Sequence, residues 1–323
     1  TIDQTKALEK INKDMKSKQK MFRLLQGDVG SGKTIVSVIA ALNAVKAGYQ
    51  VAIMAPTEIL ANQHYKYIIN NFKKYCKPQI LTGKTEYIQR KKILNDLLCK
   101  KINILIGTHA LFQNKIKYNN LGLIIIDEQH KFGVKQRIDL SDKGGKECDI
   151  LLMSATPIPR TLALVLYENM NYIKIEDRPR ERKTINTITH SSSNRNSLIQ
   201  TVTRHLKDGM QVYWVCTRVE DTMDDQTLSV KMFINVLKNE FPNYRIEMLH
   251  GKLAAEQKVS IINLFKTGKV DILVTTSVIE VGVDCPNANC LVIENSELFE
   301  GYCLNHINYS FYTSVFFFFN PRY

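Results

Sequence analysis

The stretch GDVGSGKT, residues 27–34, indicates the fold more clearly than any other part of the chain. It has the spacing G-x-x-x-x-G-K-[ST], in which glycines allow backbone N–H groups to point at phosphate oxygens. Lys33 would reach the outer phosphates of a nucleotide, and the Thr34 hydroxyl would be a ligand of Mg²⁺. The residues expected to contact the nucleotide here are Gly27, Asp28, Val29, Gly30, Ser31, Gly32, Lys33 and Thr34.

The residues around this loop have the pattern that a phosphate-binding loop requires. Met21–Leu25 is a short apolar stretch of the kind expected in a buried strand. A glycine-rich turn without a ligand is the alternative interpretation, but the strand–loop–helix context favours nucleotide binding. An apolar stripe with helical spacing follows the loop, at Ile35, Val38, Ile39, Leu42 and Val45.

The charge of the chain favours a polyanionic partner. Its 323 residues leave room for two domains of ordinary size. Lys and Arg number 44 against 31 Asp and Glu, which gives a net charge of +13. Such an excess is typical of proteins that bind nucleic acid. A biased composition, rich in Lys, Asn and Ile throughout, would also produce it.

The seven cysteines are scattered and include no C-x-x-C pair. They favour reduced thiols over disulfides or a zinc site, so Mg²⁺ is the only metal expected. No apolar run reaches about 18 residues, the length that a membrane-spanning helix needs, and no signal peptide is recognisable. We therefore expect a soluble cytoplasmic protein without a membrane partner, with a monomer favoured.

Strand-like and helix-like stretches alternate along the chain. Before a polar, charged boundary at 175–196, the further predicted strands are 50–55, 79–82, 102–106, 121–126 and 150–153, with helices at 58–75 and 84–101. After it the strands are 211–216, 244–249, 271–275 and finally 289–294, with helices at 230–240 and 254–266. This order predicts an α/β protein with two parallel-sheet domains in tandem. Because no second phosphate loop occurs, the two domains are expected to share one nucleotide.

Two acidic residues follow the most apolar predicted strand. Asp127 and Glu128 stand at the carboxyl end of residues 121–126, where ligands of parallel α/β sheets gather. Asp127 would hold Mg²⁺ together with Thr34, and Glu128 would orient or deprotonate the attacking water. A simple strand cap is the alternative for both. Polar residues that fit a relay to the γ-phosphate, or else ordinary strand-end and turn positions, are His130, Ser154 and Thr156.

Eight motifs occur in order: GDVGSGKT, MAPTEILANQH, GTHALF, IIIDEQHKFGVKQR, SATPIPRTLAL, YWVCT, LHGKL and VIEVGVDCPNA. Together they resemble the RecG family of bacterial DNA helicases, which are superfamily 2 motors, over roughly residues 1–299. DEQH followed by FGV resembles only this family and the related transcription-repair coupling translocase, and Gln129 favours RecG. The resemblance implies two RecA-like domains of the P-loop NTPase type, the second incomplete, with ATP and Mg²⁺ as cofactors and DNA as partner.

The resemblance also implies roles for residues at matching positions. Gln4 would read the adenine, and Asp284 would contact the ribose. Lys33, Asp127 and Glu128 would form the hydrolytic core. The residues implied to couple ATP to movement are His130, Ser154, Thr156, Glu280 and Gly282. The residues implied to face the DNA, mainly along its backbone, are Pro56, Thr57, Thr108, His109 and Arg160.

The implied function is ATP-dependent translocation on duplex DNA, in recombination and in the repair of branched DNA or stalled forks. The implied parts are an ATP-binding domain 1–178, a linker 179–196, a partial second domain 197–299 and a divergent aromatic tail 300–323. A transcription-repair coupling translocase is one alternative.

The tail differs from the family pattern. The family's Q-x-x-G-R-x-G-R segment, whose arginines reach the γ-phosphate, does not occur in the sequence, so reduced hydrolysis is expected. No amino-terminal wedge domain is recognisable either, and the sequence therefore predicts a chain truncated at both ends. Phe316–Phe319 is β-prone and uncharged, which predicts aggregation. The second alternative is thus a non-hydrolysing ATP- and DNA-binding remnant of a truncated or frameshifted gene.

Overall fold

A computed structural model describes most of the chain. The described residues are 1–28, 30–112, 116–128, 148–155, 170–177, 186–191, 194–216, 226–250, 253–275, 287–294 and 314–319. They form two compact units, Thr1–Pro179 and Arg180–Tyr323.

The first unit is built on one parallel sheet. Its strands are β1 (Phe22–Gly27), β2 (Gln50–Met54), β3 (Pro78–Leu81), β4 (Ile104–Gly107), β5 (Leu121–Ile126), β6 (Asp149–Ser154) and β7 (Asn171–Ile175). The described helices are α1 (Ile2–Met15), α2 (Lys33–Lys46), α3 (Glu58–Phe72) and α4 (Tyr87–Leu98), with a 3₁₀ helix at His109–Phe112. The seven strands are hydrogen-bonded in the order β3-β4-β2-β5-β6-β1-β7.

Both faces of this sheet are buried. Along β2, Val51 and Ile53 pack with α1, α2 and α3 on one face, whereas Ala52 and Met54 pack with α4 on the other. A parallel sheet that is covered on both faces needs continuous apolar strands, which explains the run LGLIII in β5.

The second unit repeats this arrangement. Its strands are β8 (Asn186–Ser191), β9 (Gln211–Val215), β10 (Ile246–Leu249), β11 (Ile272–Thr275), β12 (Ala288–Glu294) and β13 (Ser314–Phe319). Its described helices are α5 (Arg195–Lys207), α6 (Gln226–Glu240) and α7 (Ala255–Lys266). All six strands are parallel, in the order β10-β11-β9-β12-β13-β8.

The six described strands of the second sheet match six of the seven strands of the first. The order β10-β11-β9-β12-β13-β8 follows the same path as β3-β4-β2-β5-β6-β1. A register irregularity also recurs, between Gln50 and Val51 where β2 pairs with β5, and between Ala288 and Cys290 where β12 pairs with β9. The predicted class, two RecA-like parallel-sheet domains in tandem, is therefore confirmed.

A buried glutamine holds the amino-terminal edge of the first sheet. Gln50 begins β2, and its Nε2 donates to the carbonyl oxygens of Leu97 and Ile102 at 2.7 and 2.8 Å. Its Oε1 accepts from the N–H groups of Asn119 and Asn120 at 2.9 and 3.1 Å. One side chain thus satisfies the end of α4 and the starts of β4 and β5.

The second unit uses the same device. Gln211 begins β9, and its Nε2 donates to the carbonyl oxygens of Phe265 and Val270, both at 2.6 Å. Phe265 lies in the last turn of α7 and Val270 just precedes β11, so these positions match those around Gln50. No sequence motif predicts this repeated set of hydrogen bonds.

Replacing either glutamine by leucine is expected to destabilise its own unit by about 3 kcal/mol, because each buried group left without a partner costs roughly 1–3 kcal/mol. Urea unfolding measures the effect. Trp214 is the only tryptophan and is fully buried in the second unit, so its fluorescence should report Gln211→Leu, while circular dichroism should detect Gln50→Leu. The control is Gln89→Leu at an exposed site on α4. An equal effect in the control would contradict the role of the buried glutamines.

The structure corrects the prediction that 289–294 is the last strand. β13 lies in the aromatic tail and pairs in parallel with β12 on one side and β8 on the other. The β-propensity and lack of charge that predicted aggregation also suit an interior strand, once neighbours satisfy its backbone on both sides.

The structure has a strand within the predicted polar boundary and another that ends where the boundary begins. β8 lies within residues 175–196 and occupies part of the predicted linker 179–196, whereas β7 ends at Ile175. Each is an outer strand of its sheet. Because an outer strand is less completely covered, it tolerates polar residues such as those of NTITHS, and its composition resembles a loop.

Candidate functional site

The carboxyl ends of β1, β6 and β5 lie side by side on the first sheet. Gln26 of β1 is opposite Ser154 of β6, and Ile126 of β5 is opposite Leu152 of β6. The loop after β1 and the acidic residues after β5 therefore meet at one edge, where open α/β sheets bind their ligands.

Two glycines of the phosphate loop are sterically required. Gly32 precedes α2 with a φ of 90°, in the left-handed region, and a Cβ there would collide with Gln4 Nε2. A Cβ on Gly27 would lie 2.5 Å from Ser31 Oγ. Glycine at both positions allows the backbone N–H groups to approach a bound phosphate closely.

Lys33 begins α2 and folds back over the loop. Its ammonium donates to the carbonyl oxygens of Gly27 and Asp28 at 2.6 and 2.9 Å, and the residue is 9% exposed. Its charge also helps to lower the pKa of Asp127. A largely buried ammonium beside the amino end of a helix suits a polyphosphate ligand.

Gln4 lies against the backbone of the phosphate loop. Its Nε2 donates to the carbonyl oxygen of Ser31 at 2.8 Å. The amino end of α1 is held by Asp3, whose carboxylate accepts from the N–H groups of Glu176 and Asp177 at 3.0 and 3.1 Å. The residue predicted to read adenine is thus placed beside the loop by residues that follow β7.

Asp127 has hydrogen bonds at both carboxylate oxygens. Oδ1 accepts from the N–H of Glu128 at 3.0 Å, and Oδ2 lies 2.8 Å from His64 Nε2. Burial alone would raise the pKa of Asp127, but the hydrogen bond and charge of His64, the charge of Lys33 and the backbone of Glu128 together lower it. The side chain therefore stays ionised at neutral pH, as a ligand of Mg²⁺ must be.

Glu128 has an unusual backbone conformation. Its φ of 48° lies in the left-handed region, which costs a residue with a Cβ about 1–2 kcal/mol. The residue is 8% exposed, and its Oε2 accepts a long hydrogen bond of 3.5 Å from the N–H of Ala155. The structure thus brings the predicted catalytic Glu128 next to the predicted coupling residue Ser154, which is fully buried.

The phosphate loop also contains a buried hydroxyl. Ser31 Oγ is inaccessible to solvent and makes no hydrogen bond with any residue in the described part of the chain. A phosphate oxygen at the loop would satisfy it, and this would recover the roughly 1–3 kcal/mol that an unpaired buried group costs. The residues present fit a nucleotide with Mg²⁺, for which Thr34 and Asp127 offer a hydroxyl and an ionised carboxylate.

Three predicted DNA-facing residues follow β2 and β4 at the same edge of the sheet. Pro56 and Thr57 come after β2, Thr108 comes after β4, and Ala55 N–H donates to the carbonyl oxygen of Gly107 at 2.9 Å. Thr57 Oγ1 accepts from the N–H of Leu60 at 3.3 Å and so caps α3. These loops form one half-exposed strip at the carboxyl edge of β2 and β4.

The other predicted site residues lie partly or wholly outside the described part of the chain. The backbone of His109 lies in the 3₁₀ helix, and its side chain is outside the described part. The residues that lie wholly outside the described ranges are Val29, His130, Thr156, Arg160, Glu280, Gly282 and Asp284. Their roles stay predictions.

The second unit has an ion pair at the positions that match Lys33 and Asp127. α5 begins at Arg195 as α2 begins at Lys33, and Glu294 follows the β12 residue that corresponds to Ile126. Arg195 Nη1 donates to Glu294 Oε1 at 2.9 Å, and Trp214 Nε1 donates to the same oxygen at 3.2 Å. The acid at the strand end is thus neutralised within the unit. Neither residue was predicted as functional, since no motif marks them.

His64 is the described site residue that the sequence interpretation missed. It is 7% exposed and lies on the buried face of α3, together with Leu60, Ala61 and Ile68. The sequence does contain a signal for this residue, because the spacing i, i+1, i+4, i+8 places a histidine on the buried face of a helix. A buried imidazole requires a hydrogen-bond partner, so a polar contact could have been predicted there.

Residues 1–165 match the DEAD/DEAH box helicase family, and residues 193–309 match the helicase conserved C-terminal domain. The chain belongs to the DEAD/DEAH box helicase family.

Among helicases, the chain is similar to RecG. It is 43% identical over 301 residues to the ATP-dependent DNA helicase RecG of Thermotoga maritima, covering 93% of this chain and 38% of that protein. It is 40% identical over 310 residues to RecG of Treponema pallidum, covering 93% of this chain and 45% of that protein. The structure of RecG bound to a three-way DNA junction matches with a TM-score of 0.83 and 37% identity, over 99% of this chain and 43% of that one.

The predicted resemblance to RecG is therefore confirmed, and the chain spans less than half the length of these relatives. In the part of the chain that the structure describes, no helix has the length and apolar character needed to cross a bilayer.

Proposed function

We propose that the chain is the motor part of a RecG-type DNA helicase, which hydrolyses ATP and uses the energy to move along duplex DNA in recombination and repair. The observation that carries this proposal is the arrangement of Lys33, Asp127 and Glu128 at one sheet edge. The sequence identity of 40–43% to proteins named ATP-dependent DNA helicase RecG supports it.

The described residues have separate roles at the nucleotide. The loop 27–34 cradles the phosphates with backbone N–H groups, and Lys33 neutralises part of their charge. Thr34 and Asp127 would hold Mg²⁺, which would supply further charge neutralisation when bound. Glu128, held at the end of β5 close to Ser154 and Ala155, orients or deprotonates the attacking water.

DNA contact is assigned to the strip formed by Pro56, Thr57 and Thr108. Hydroxyls and backbone groups at loop ends bind phosphates without reading sequence, as a motor that moves along DNA requires. The net charge of +13 adds a sequence-independent attraction. Branched DNA is the proposed substrate, because the solved RecG relative is bound to a three-way junction.

Phosphate release with and without branched DNA tests the motor function. Glu128→Gln should bind nucleotide and DNA as the wild type does, yet lower DNA-stimulated hydrolysis about 100-fold or more, because it removes the group that acts on the water. DNA affinity, measured in parallel by fluorescence anisotropy, should fall steeply between low and moderate salt.

The outcomes separate the candidate functions. If the wild type releases no more phosphate than Glu128→Gln but still binds ATP and DNA, the non-hydrolysing alternative replaces the motor. If DNA binding is absent, or is insensitive to salt, the proposed contact with the phosphate backbone is wrong.

A further inference from the structure

His64 belongs to the helix that begins at a predicted DNA-facing loop, but it contacts the nucleotide site. α3 is capped by Thr57, and His64 lies about two turns further along, where its Nε2 is 2.8 Å from Asp127 Oδ2. Since an ionised carboxylate only accepts hydrogen bonds, His64 Nε2 carries the hydrogen. The side chains are 9% and 13% exposed, so water competes little for this contact.

The two hydrogen bonds to Asp127 fix the orientation of its carboxylate. Oδ1 is held by the N–H of Glu128 and Oδ2 by His64. Each carboxylate oxygen accepts in two directions, so both keep a lone pair for a further ligand. Partners of this kind, one step removed from a metal, commonly determine how well a carboxylate binds it.

We propose that His64 is a positioning residue for Asp127, which holds the carboxylate in the orientation that binds Mg²⁺ with the nucleotide. This inference rests on the proposed nucleotide site and gives a role to the last residue of MAPTEILANQH, to which the resemblance assigns none. It also gives α3 a second role, because one rigid helix then connects the DNA-facing Thr57 with the Mg²⁺ carboxylate.

A purely structural role for His64 is the competing explanation. The pair could simply attach α3 to the sheet, since His64 lies among buried residues of that helix. A structural role predicts lost stability with an unchanged Mg²⁺ requirement, whereas a positioning role predicts a changed Mg²⁺ requirement whatever happens to stability.

The test uses three variants of the full chain. His64→Leu removes the hydrogen bond, and His64→Gln restores an Nε2–H donor at a similar reach. Ile68→Ala is the matched control, because Ile68 is fully buried one turn further along α3 and its apolar side chain cannot form a hydrogen bond with Asp127. The probe is a fluorescent, non-hydrolysed ATP analogue, titrated at increasing Mg²⁺ and in EDTA, with thermal unfolding followed in parallel.

In His64→Leu, the Mg²⁺ concentration that produces half of the increase in affinity for the analogue should be at least about 10-fold higher than in the wild type. The affinity of this variant for the analogue in EDTA should be unchanged. His64→Gln should return close to the wild-type requirement, and Ile68→Ala should unfold at a lower temperature with a wild-type requirement.

A wild-type Mg²⁺ requirement in His64→Leu would overturn the inference, as would an equal change in Ile68→Ala or a failure of His64→Gln to recover. In each of these cases the wild type still binds the analogue with Mg²⁺, so the proposed nucleotide site stands. If the wild type shows no Mg²⁺-dependent binding, both the inference and the proposed function fail.

Discussion

The Lys33→Ala variant is expected to bind ATP about 100-fold more weakly than the wild type, since a charge-assisted hydrogen bond contributes about 1.5–3 kcal/mol and each 1.4 kcal/mol is tenfold. The ammonium is largely buried and already turned into the loop, where it donates to the carbonyl oxygens of Gly27 and Asp28. It also helps to keep Asp127 ionised, so its loss weakens both the phosphate contact and the Mg²⁺ ligand. Titration with a fluorescent ATP analogue measures the change.

The same helix provides the control. Lys46 lies at the exposed carboxyl end of α2, and Lys46→Ala removes the same charge from the chain without touching the loop. It should bind ATP as the wild type does. Equal affinity in Lys33→Ala and the wild type, with both folded by circular dichroism, would show that the loop 27–34 is not the nucleotide site.

The Arg195→Leu variant is expected to lower the free energy of unfolding of the second unit by about 3 kcal/mol, the lower end for breaking a buried ion pair. The lower end applies because the Arg195 side chain is 27% exposed, whereas that of Glu294 is only 9% exposed. Arg195 also forms two hydrogen bonds with Glu240, at 2.8 and 3.2 Å. Urea unfolding followed by Trp214 fluorescence should report the loss directly, since Trp214 donates to Glu294.

The size of this loss should depend on pH. Burial raises the pKa of Glu294 in spite of the opposing charge of Arg195, and removing Arg195 should raise it further. A carboxyl with a raised pKa in the folded state favours folding when it is protonated, and this contribution disappears as pH rises through the folded-state pKa. The free energy of unfolding of Arg195→Leu should therefore be lower than that of the wild type by a larger amount at pH 7.5 than at pH 5.

A second substitution identifies the cause. Arg195→Leu combined with Glu294→Gln should be more stable at neutral pH than Arg195→Leu alone, because Glu294, the more deeply buried of the two carboxylates that lose Arg195, is then uncharged. Arg204→Leu, at an exposed position on α5, should change stability by less than about 0.5 kcal/mol. If the double variant is no more stable than Arg195→Leu, the loss comes from packing and not from the charge of Glu294.

Local sequence patterns predicted most of the strands. In the candidate site they predicted the phosphate loop and the two acidic residues after β5. The run at 121–126 is apolar because both faces of β5 are covered, and its predicted bounds agree with the structure. The phosphate loop needs specific glycines at fixed spacing, so eight consecutive residues are enough to identify it. β7 and β8 were missed because outer strands carry polar residues. β13 was missed because an aromatic, uncharged run predicts aggregation equally well.

The sequence by itself determined the class of fold, the phosphate loop, the two acidic residues after β5 and the resemblance to RecG. All of these depend on neighbouring residues or on fixed local spacing. Only the tertiary structure showed that His64 contacts Asp127, that Arg195 pairs with Glu294, and that Gln50 and Gln211 repeat one set of hydrogen bonds. These contacts join residues 47 to 99 positions apart, and the pairing of strands in the sheets, which no local pattern encodes, brings them together.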